Sequence, residues 1–365
     1  MWLAAFPWSK PPCGRGSWGW RRSAAWRSDL TAYLLKEQRR RLGRFTWPYP
    51  YRLRVIDASD IQEPGATGTD WRLHFSIRLP EMVCDHYELT AAHGGEQLGR
   101  FRFAAGELVL ADRGYSHRAG VAHVLRAGAH VVLRWNPQVF PLEAPDAKPV
   151  ATLPQLRGLH TGEIGERRVW FVQDQQRYGL RLCAVRKSRS AAERARRKTR
   201  RKAQRKGTPA TPESLEMASY ILGLTSASAQ ILPARAALDL YRGRWQVELV
   251  FKRLKRLLDA GQIPKTEDTS ARAWMQAKIL TALLLDRVLL EGKSFPPGDT
   301  RFDTVSRRRV FLEVRDTLKA VLAPPISLPQ LLERGHNIAL ALRVERKGRP
   351  MQMVQARKLF SKLLS

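Results

Sequence analysis

The chain predicts a mixed α/β sheet flanked by helices, and three observations carry that prediction. Short apolar runs with strand texture recur between Leu53 and Leu133. Between the fourth and fifth of these runs lies a helical pattern, so a strand–helix–strand unit sits within a series of strands. Two longer helical patterns, one from Leu232 and one over Ala271–Leu290, come later and supply layers to cover the sheet.

Taken in order, residues 1–50 have a different texture from the rest. They hold Trp2, Trp8, Trp18, Trp20, Trp26 and Trp47, six of the chain's 11 tryptophans, among Arg, Ser, Gly and Pro. Only Asp29–Leu42 looks helical, and the expectation is a basic, disordered arm or the remnant of a domain. From Tyr51 the pattern sharpens. Leu53, Val55 and Ile56 make a short strand that ends in Asp57. Trp71–Leu79 alternates and reads as a second strand, and Cys84–Thr90 as a third. Leu108–Ala111 is a fourth, delivering Asp112 to its end. A helix begins at Ser116 or His117 and runs to about Ala127, and Val131–Leu133 is the fifth strand. Residues 51–136 thus form the first part of the sheet. Pro137–Leu156 is a proline-rich connection, and Val169–Val185 holds two more strands, a β insertion within residues 137–215. Residues 186–206 carry twelve Lys or Arg and one acid. Like charges at i and i+4 oppose a helix there, which predicts a solvated loop that orders on a polyanion. Tyr220–Leu224 is a further strand of the second sheet segment, residues 216–292. Residues 293–365 are helical and basic.

Charge narrows the function. Lys and Arg total 64 against 33 Asp and Glu, a formal net charge of +31 over 365 residues. Such an excess repels itself and points to an anionic partner, nucleic acid first. No apolar run approaches 20 residues, so no spanning helix is expected. Cys13, Cys84 and Cys183 are too scattered for a disulfide framework or a zinc site, and a reducing cytoplasm fits. There is no Ser-His-Asp pattern and no phosphate-cradling Gly-rich loop, so no small-molecule cofactor is expected.

The stretch Tyr241–Lys255 is where these features meet. On a helix Tyr241, Arg244, Glu248 and Lys255 fall within an arc of roughly 60°. Val247, Val250, Phe251 and Leu254 flank it on one side, and Arg242, Lys252, Arg253 and Arg256 on the other. Glu248 is the only acid from Arg242 to Leu258. It is either half of an ordinary surface ion pair with Arg244 or Lys252, or a site carboxylate set among cations that hold an anionic strand. Acidic residues are disfavoured in strands, so Asp57 and Asp112 are either turn caps or ligands gathered at strand ends. Converged with Glu248, they have the chemistry to hold two Mg²⁺ ions, which take oxygen ligands and keep several waters. Two such ions stabilise both the attacking and the leaving oxygen in phosphoryl displacement.

The spacing Tyr241-x2-Arg244-x3-Glu248-x6-Lys255 resembles the Y-R-E-K signature of bacterial insertion-sequence transposases of the IS-four type, within the DDE superfamily. Asp112-Arg-Gly-Tyr115 resembles that family's second-aspartate motif. Val55-Ile-Asp57-Ala-Ser59 resembles the first, with Ala58 where Gly is usual. The resemblance covers about Tyr51 to Glu291. It implies a ribonuclease-H-like core with a β insertion between the second Asp and the Glu, and Asp57, Asp112 and Glu248 as catalytic metal ligands for Mg²⁺, with Mn²⁺ able to substitute. It implies Tyr241, Arg244 and Lys255 as contacts to the phosphates of the transposon ends, and Lys252 and Arg256, on the basic flank of the same helix, would join them on double-stranded DNA. Trp245 would stack a flipped base or serve as a core tryptophan. The implied activity is cleavage at the element's ends and strand transfer into target DNA, by a dimer on paired ends, in the bacterial cytoplasm on the nucleoid. Family members carry a helical end-recognition domain before the first aspartate, and the fifty residues here are short for it. That leaves a truncated copy, or a start misread, beside the active enzyme. The alternative function is an inactive remnant that binds DNA non-specifically; a basic RNA-associated structural protein would leave the three carboxylates unexplained.

Overall fold

The computed structural model describes residues 29–37, 40, 49–63, 65, 70–79, 81, 83–205, 207–242, 244, 261–264 and 267–292, with side chains of the last helix up to Leu283. Eight strands form one sheet: β1 (Arg52–Ile61), β2 (Trp71–Leu79), β3 (Val83–Ala91), β4 (Glu107–Ala111), β5 (His130–Arg134), β6 (Ile164–Gln173), β7 (Gln176–Arg186) and β8 (Tyr220–Thr225). Their order is β3-β2-β1-β4-β5-β8-β7-β6. β1, β2 and β3 pair antiparallel, while β1, β4 and β5 run parallel. This α/β arrangement is the ribonuclease-H-like core that the sequence led one to expect.

Alternation decides which side each residue covers. In β4, wholly buried, Leu108 and Leu110 enter one hydrophobic core and Val109 and Ala111 the other. The first core is closed by a helical stretch at residues 29–37 (α1), which contributes Leu30 and Leu34, and by two later helices, α6 (Ala234–Arg242) and α7 (Asp268–Gly292). The second is closed by α2 (Arg118–Arg126), through Val121, Ala122 and Val124. Short helices α3 (Thr152–Leu156) and α5 (Pro212–Met217), and the longer α4 (Arg189–Arg205), lie between β5 and β8 in sequence. No helix among the described residues is long and apolar enough to cross a membrane.

Three features differ from the sequence reading, and a fourth fills it in. β1 does not end at Asp57. Its parallel ladder with β4 stops at Val55↔Leu110, but its antiparallel ladder with β2 continues to Ile61↔Trp71, and that second partner keeps the chain extended. β6 and β7 fall between Asp112 and Glu248, as the expected β insertion, and extend the core sheet through β8. The basic run folds as α4, because Ala191, Ala192, Ala195, Thr199 and Ala203 recur at helical spacing on its covered face while most cations point outward. Finally, Leu34 is fully buried, so residues 29–37 dock on the core instead of belonging to a free arm. Residues 1–28 and 293–365 lie outside the described residues.

Candidate active site at the strand ends

Asp57 and Asp112 are brought level by strand register. They lie two residues beyond the matched pair Val55↔Leu110 on neighbouring parallel strands, which puts their backbones roughly 5 Å apart. The backbone of Asp112 is still extended. Alternation therefore turns both carboxylates to the face that carries Val55, Leu110 and α6. Each is half-buried and each is tied locally. Oδ1 of Asp57 accepts from the Ala58 amide at 3.0 Å, and Oδ1 of Asp112 accepts from the Gly114 amide at 2.7 Å, capping the 3-10 turn Arg113–Tyr115.

Arg244, just past the end of α6, supplies the counter-charge. Its Nη1 donates to Oδ2 of Asp57 at 2.8 Å, with both side chains largely covered. Its guanidinium also lies over the Tyr241 ring, 5.9 Å from the centroid. Burial alone would lower the Arg244 pKa, but Asp57, Tyr241 and Asp112 outweigh it and the net shift is upward. Burial raises the Tyr241 phenol, more than the nearby Arg244 and Arg134 lower it. Of the residues singled out in the sequence, the structure thus brings together Asp57, Asp112, Tyr241 and Arg244. Glu248, Trp245, Lys252, Lys255 and Arg256 lie outside the described residues.

A third carboxylate stands here that the sequence reading did not single out. Glu96 follows β3 in a loop held by Arg100, whose Nε donates to the Gly95 carbonyl at 3.1 Å, and by Leu98, fully buried against α2. This places Oε2 of Glu96 only 1.4 Å from where a Cβ on residue 114 would lie, and Oδ1 of Asp112 is 3.1 Å from the same point. Residue 114 must be glycine for Glu96 to sit there. Burial, then the charges of Asp112 and Asp57, push the Glu96 carboxyl up to about 7. The Tyr115 hydroxyl is fully buried with no hydrogen-bond partner, and burial together with Glu96, Asp57 and Asp112 raises its pKa far above the usual phenol value. Among the described residues no three His, Cys, Asp or Glu side chains stand close enough to enclose one ion.

The same sheet edge carries a cationic cleft. β7 runs parallel to β4 through β5 and β8, so its C-terminal residue Arg186 lies at the same edge of the sheet as Asp112, but alternation puts its side chain on the opposite face, with Ala184 and Tyr220. It is three strands across and three residues further along, roughly 14 Å and 10 Å respectively. A cleft of about 390 Å³ opens there between α4, α5 and the sheet, lined by Arg157, Arg186, Arg196, Arg200, Glu216 and Tyr220. Arg157 is already paired to Glu216, at 2.8 Å. The Nε of Arg196 is buried without a partner. Lys187 next door is brought down to about 8 by burial and by Arg134.

Residues 88–285 match the family described as the transposase DDE domain; Asp112 and Glu248 fall inside the match and Asp57 before it. The chain is 32% identical over 252 residues to the putative transposase InsL for insertion sequence element IS186A of Escherichia coli strain K12, covering 67% of this chain and 68% of that one. The transposase for insertion sequence element IS421 of Escherichia coli is similar to the same extent, 32% over 252 residues. A piggyBac transposase synaptic complex with hairpin DNA aligns at 10% identity and a TM-score of 0.39, over 83% of this chain and 60% of that one, a likeness too slight to carry weight.

Proposed function

The chain belongs to the DDE transposase family, and from that premise we propose that Asp57 and Asp112, with Glu248 as the third carboxylate, hold divalent cations for cutting DNA at the ends of an insertion sequence and joining those ends to target DNA. The observation that supports this reading most is the register of β1 and β4, which sets two carboxylates side by side on one face of the sheet beside Arg244.

The residues present fit a hard cation. Three acidic side chains crowd one edge, Asp57 takes a guanidinium as counter-charge, and a buried hydroxyl among them lacks a partner. Oxygen-only donors of this kind suit Mg²⁺ or Mn²⁺ rather than a soft metal. Bound there, two such ions would stabilise the attacking and leaving oxygens of an in-line displacement at phosphorus. The chain's own residues do the rest. Asp57 and Asp112 each have one carboxylate oxygen held by a backbone amide, which fixes the direction of the other. Arg244 is close enough to hold that phosphate once it leaves Asp57, and the Tyr241 ring limits where the guanidinium can swing. The arginine cleft, at the same edge but on the opposite face, would take the DNA backbone as it passes round that edge. A dimer on paired ends, acting on the bacterial nucleoid, completes the reading.

The test is metal-dependent cleavage of a DNA fragment bearing the element's own inverted repeats, with Asp112→Ala beside the wild type. Cleavage by the wild type alone is the expected result. Equal cleavage by both would overturn the site. Salt-sensitive binding with cleavage by neither would make the chain a DNA-binding remnant instead.

A further inference from the structure

Glu96 is an expensive residue to place where it is. Two aspartates already occupy that edge of the sheet, and a third carboxylate adds repulsion and loses hydration. A neutral side chain would fill the space with less strain on the fold. The surrounding chain nevertheless makes room for it. Gly114 leaves open the volume that Oε2 occupies, Arg100 and Leu98 fix the loop from either side, and the Tyr115 hydroxyl is buried beside the three acids without a partner. The chain has shaped a seat for a third carboxylate beside a buried hydroxyl that has no hydrogen-bond partner.

We propose that Glu96 is a positioning residue of the active site: its carboxylate, seated in the gap left by Gly114 and beside the Tyr115 hydroxyl, holds the hydrated side of the cation bound by Asp57 and Asp112. This rests on the reading of the two aspartates as cation ligands. The geometry fits an indirect role. Among the described residues no three acids come close enough to grip one ion, whereas Mg²⁺ keeps several of its waters and those waters need acceptors. Groups that orient a metal's ligands in this way change affinity by roughly 10–100-fold when they are removed.

The experiment is Mn²⁺ binding to the full chain, followed by electron paramagnetic resonance, with thermal melting alongside. Glu96→Gln keeps the shape and removes the charge. Gly114→Ala keeps the charge but puts a methyl where Oε2 now sits; only the far end of a flexible side chain has to move, so this variant is expected to fold. Each should weaken Mn²⁺ binding by about 10–100-fold with the melting temperature of the metal-free protein not lowered, and the double variant should be no worse than either alone. Wild-type Mn²⁺ affinity in Glu96→Gln overturns the proposal while leaving the aspartate reading intact. If Glu96→Gln proves unfolded, Gly114→Ala decides by the same criterion. Absence of Mn²⁺ binding in the wild type, as in Asp112→Asn, would sink both readings together.

Discussion

Strands β1 and β4 carry charge at both ends, and the two ends treat it in opposite ways. At the start, Arg54, Arg78, Asp85 and Glu107 form a closed set. Arg54 reaches Asp85 at 3.2 Å and Glu107 at 3.4 Å, and Arg78 reaches the same two acids at 2.6 Å each. The Ser76 hydroxyl accepts from Arg54 and donates to Asp85. Two cations meet two anions, and all but Arg78 are nearly inaccessible. At the other end, Asp57, Asp112 and Glu96 crowd together; Arg244 is bonded to Asp57, and Arg72 offsets only part of the burial and repulsion at Glu96. The balanced end resists substitution, because removing one member would strand a buried charge. The unbalanced end destabilises the metal-free fold, and such imbalance is what a cation and a polyanion can relieve. Matched charge fixes the register of β1 against β4; unmatched charge uses it.

That contrast can be broken by experiment, in order of expected effect. Glu107→Ala should cost about 3–5 kcal/mol of stability by leaving Arg54 and Arg78 with Asp85 alone, two buried cations against one anion, read by chemical denaturation; a loss under about 1 kcal/mol, the range of an exposed pair, would mean the set is decorative. Asp112→Asn should do the reverse. Cleavage should fall on the order of 10²–10³-fold or more, while the metal-free melting temperature holds or rises because one repelling charge is gone. A melting temperature that drops sharply would place Asp112 among the structural acids.

The third test is pH. The folded pKa of Glu96, about 7, lies above its ordinary value of 4.5. The folded protein therefore binds more protons than the unfolded chain between those values. The contribution is fully present below pH 4.5 and is lost as pH rises through about 7. Metal-free stability should decline across that window, and Glu96→Gln should flatten the decline; an unchanged slope in the variant would assign it to other groups. The smallest effect concerns the cationic cleft. Replacing Arg196 and Arg200 by Ala should lower the slope of log affinity against log salt for DNA by about one for each phosphate that is no longer neutralised. An unchanged slope would take the cleft off the DNA path.

Much of this was legible in the residues. β2 runs from Trp71 to Leu79 as its alternation indicates, and Leu108–Ala111 leads into Asp112 as an apolar run ending in an acid should. Such signals are local, because one strand's burial pattern is written in its own sequence. What escaped is non-local. β1 continues past Asp57 because β2 pairs with it, and nothing in Ala58–Ile61 itself announces that partner. α4 forms although its charges oppose it, since the alanine face packs on neighbours that the run does not contain. Glu96 lies in a loop, His93–Gly94–Gly95–Glu96, with no periodicity to mark it. Its one sequence trace is the glycine of Asp112-Arg-Gly-Tyr115, whose need for an empty side-chain position becomes readable only when the loop is seen lying against it.

The level pairing of Asp57 with Asp112 has a consequence for how such a gene decays. Side-chain direction in a strand has a period of two. Deleting any single residue between Leu53 and Asp57 would leave every acid in the sequence, yet turn the first of them through the sheet to the opposite face. Deleting two would restore the direction but shift the carboxylate by roughly 6.6 Å. An inventory of acidic residues in a copied element therefore says less about its competence than the parity of the short spacer before its first aspartate.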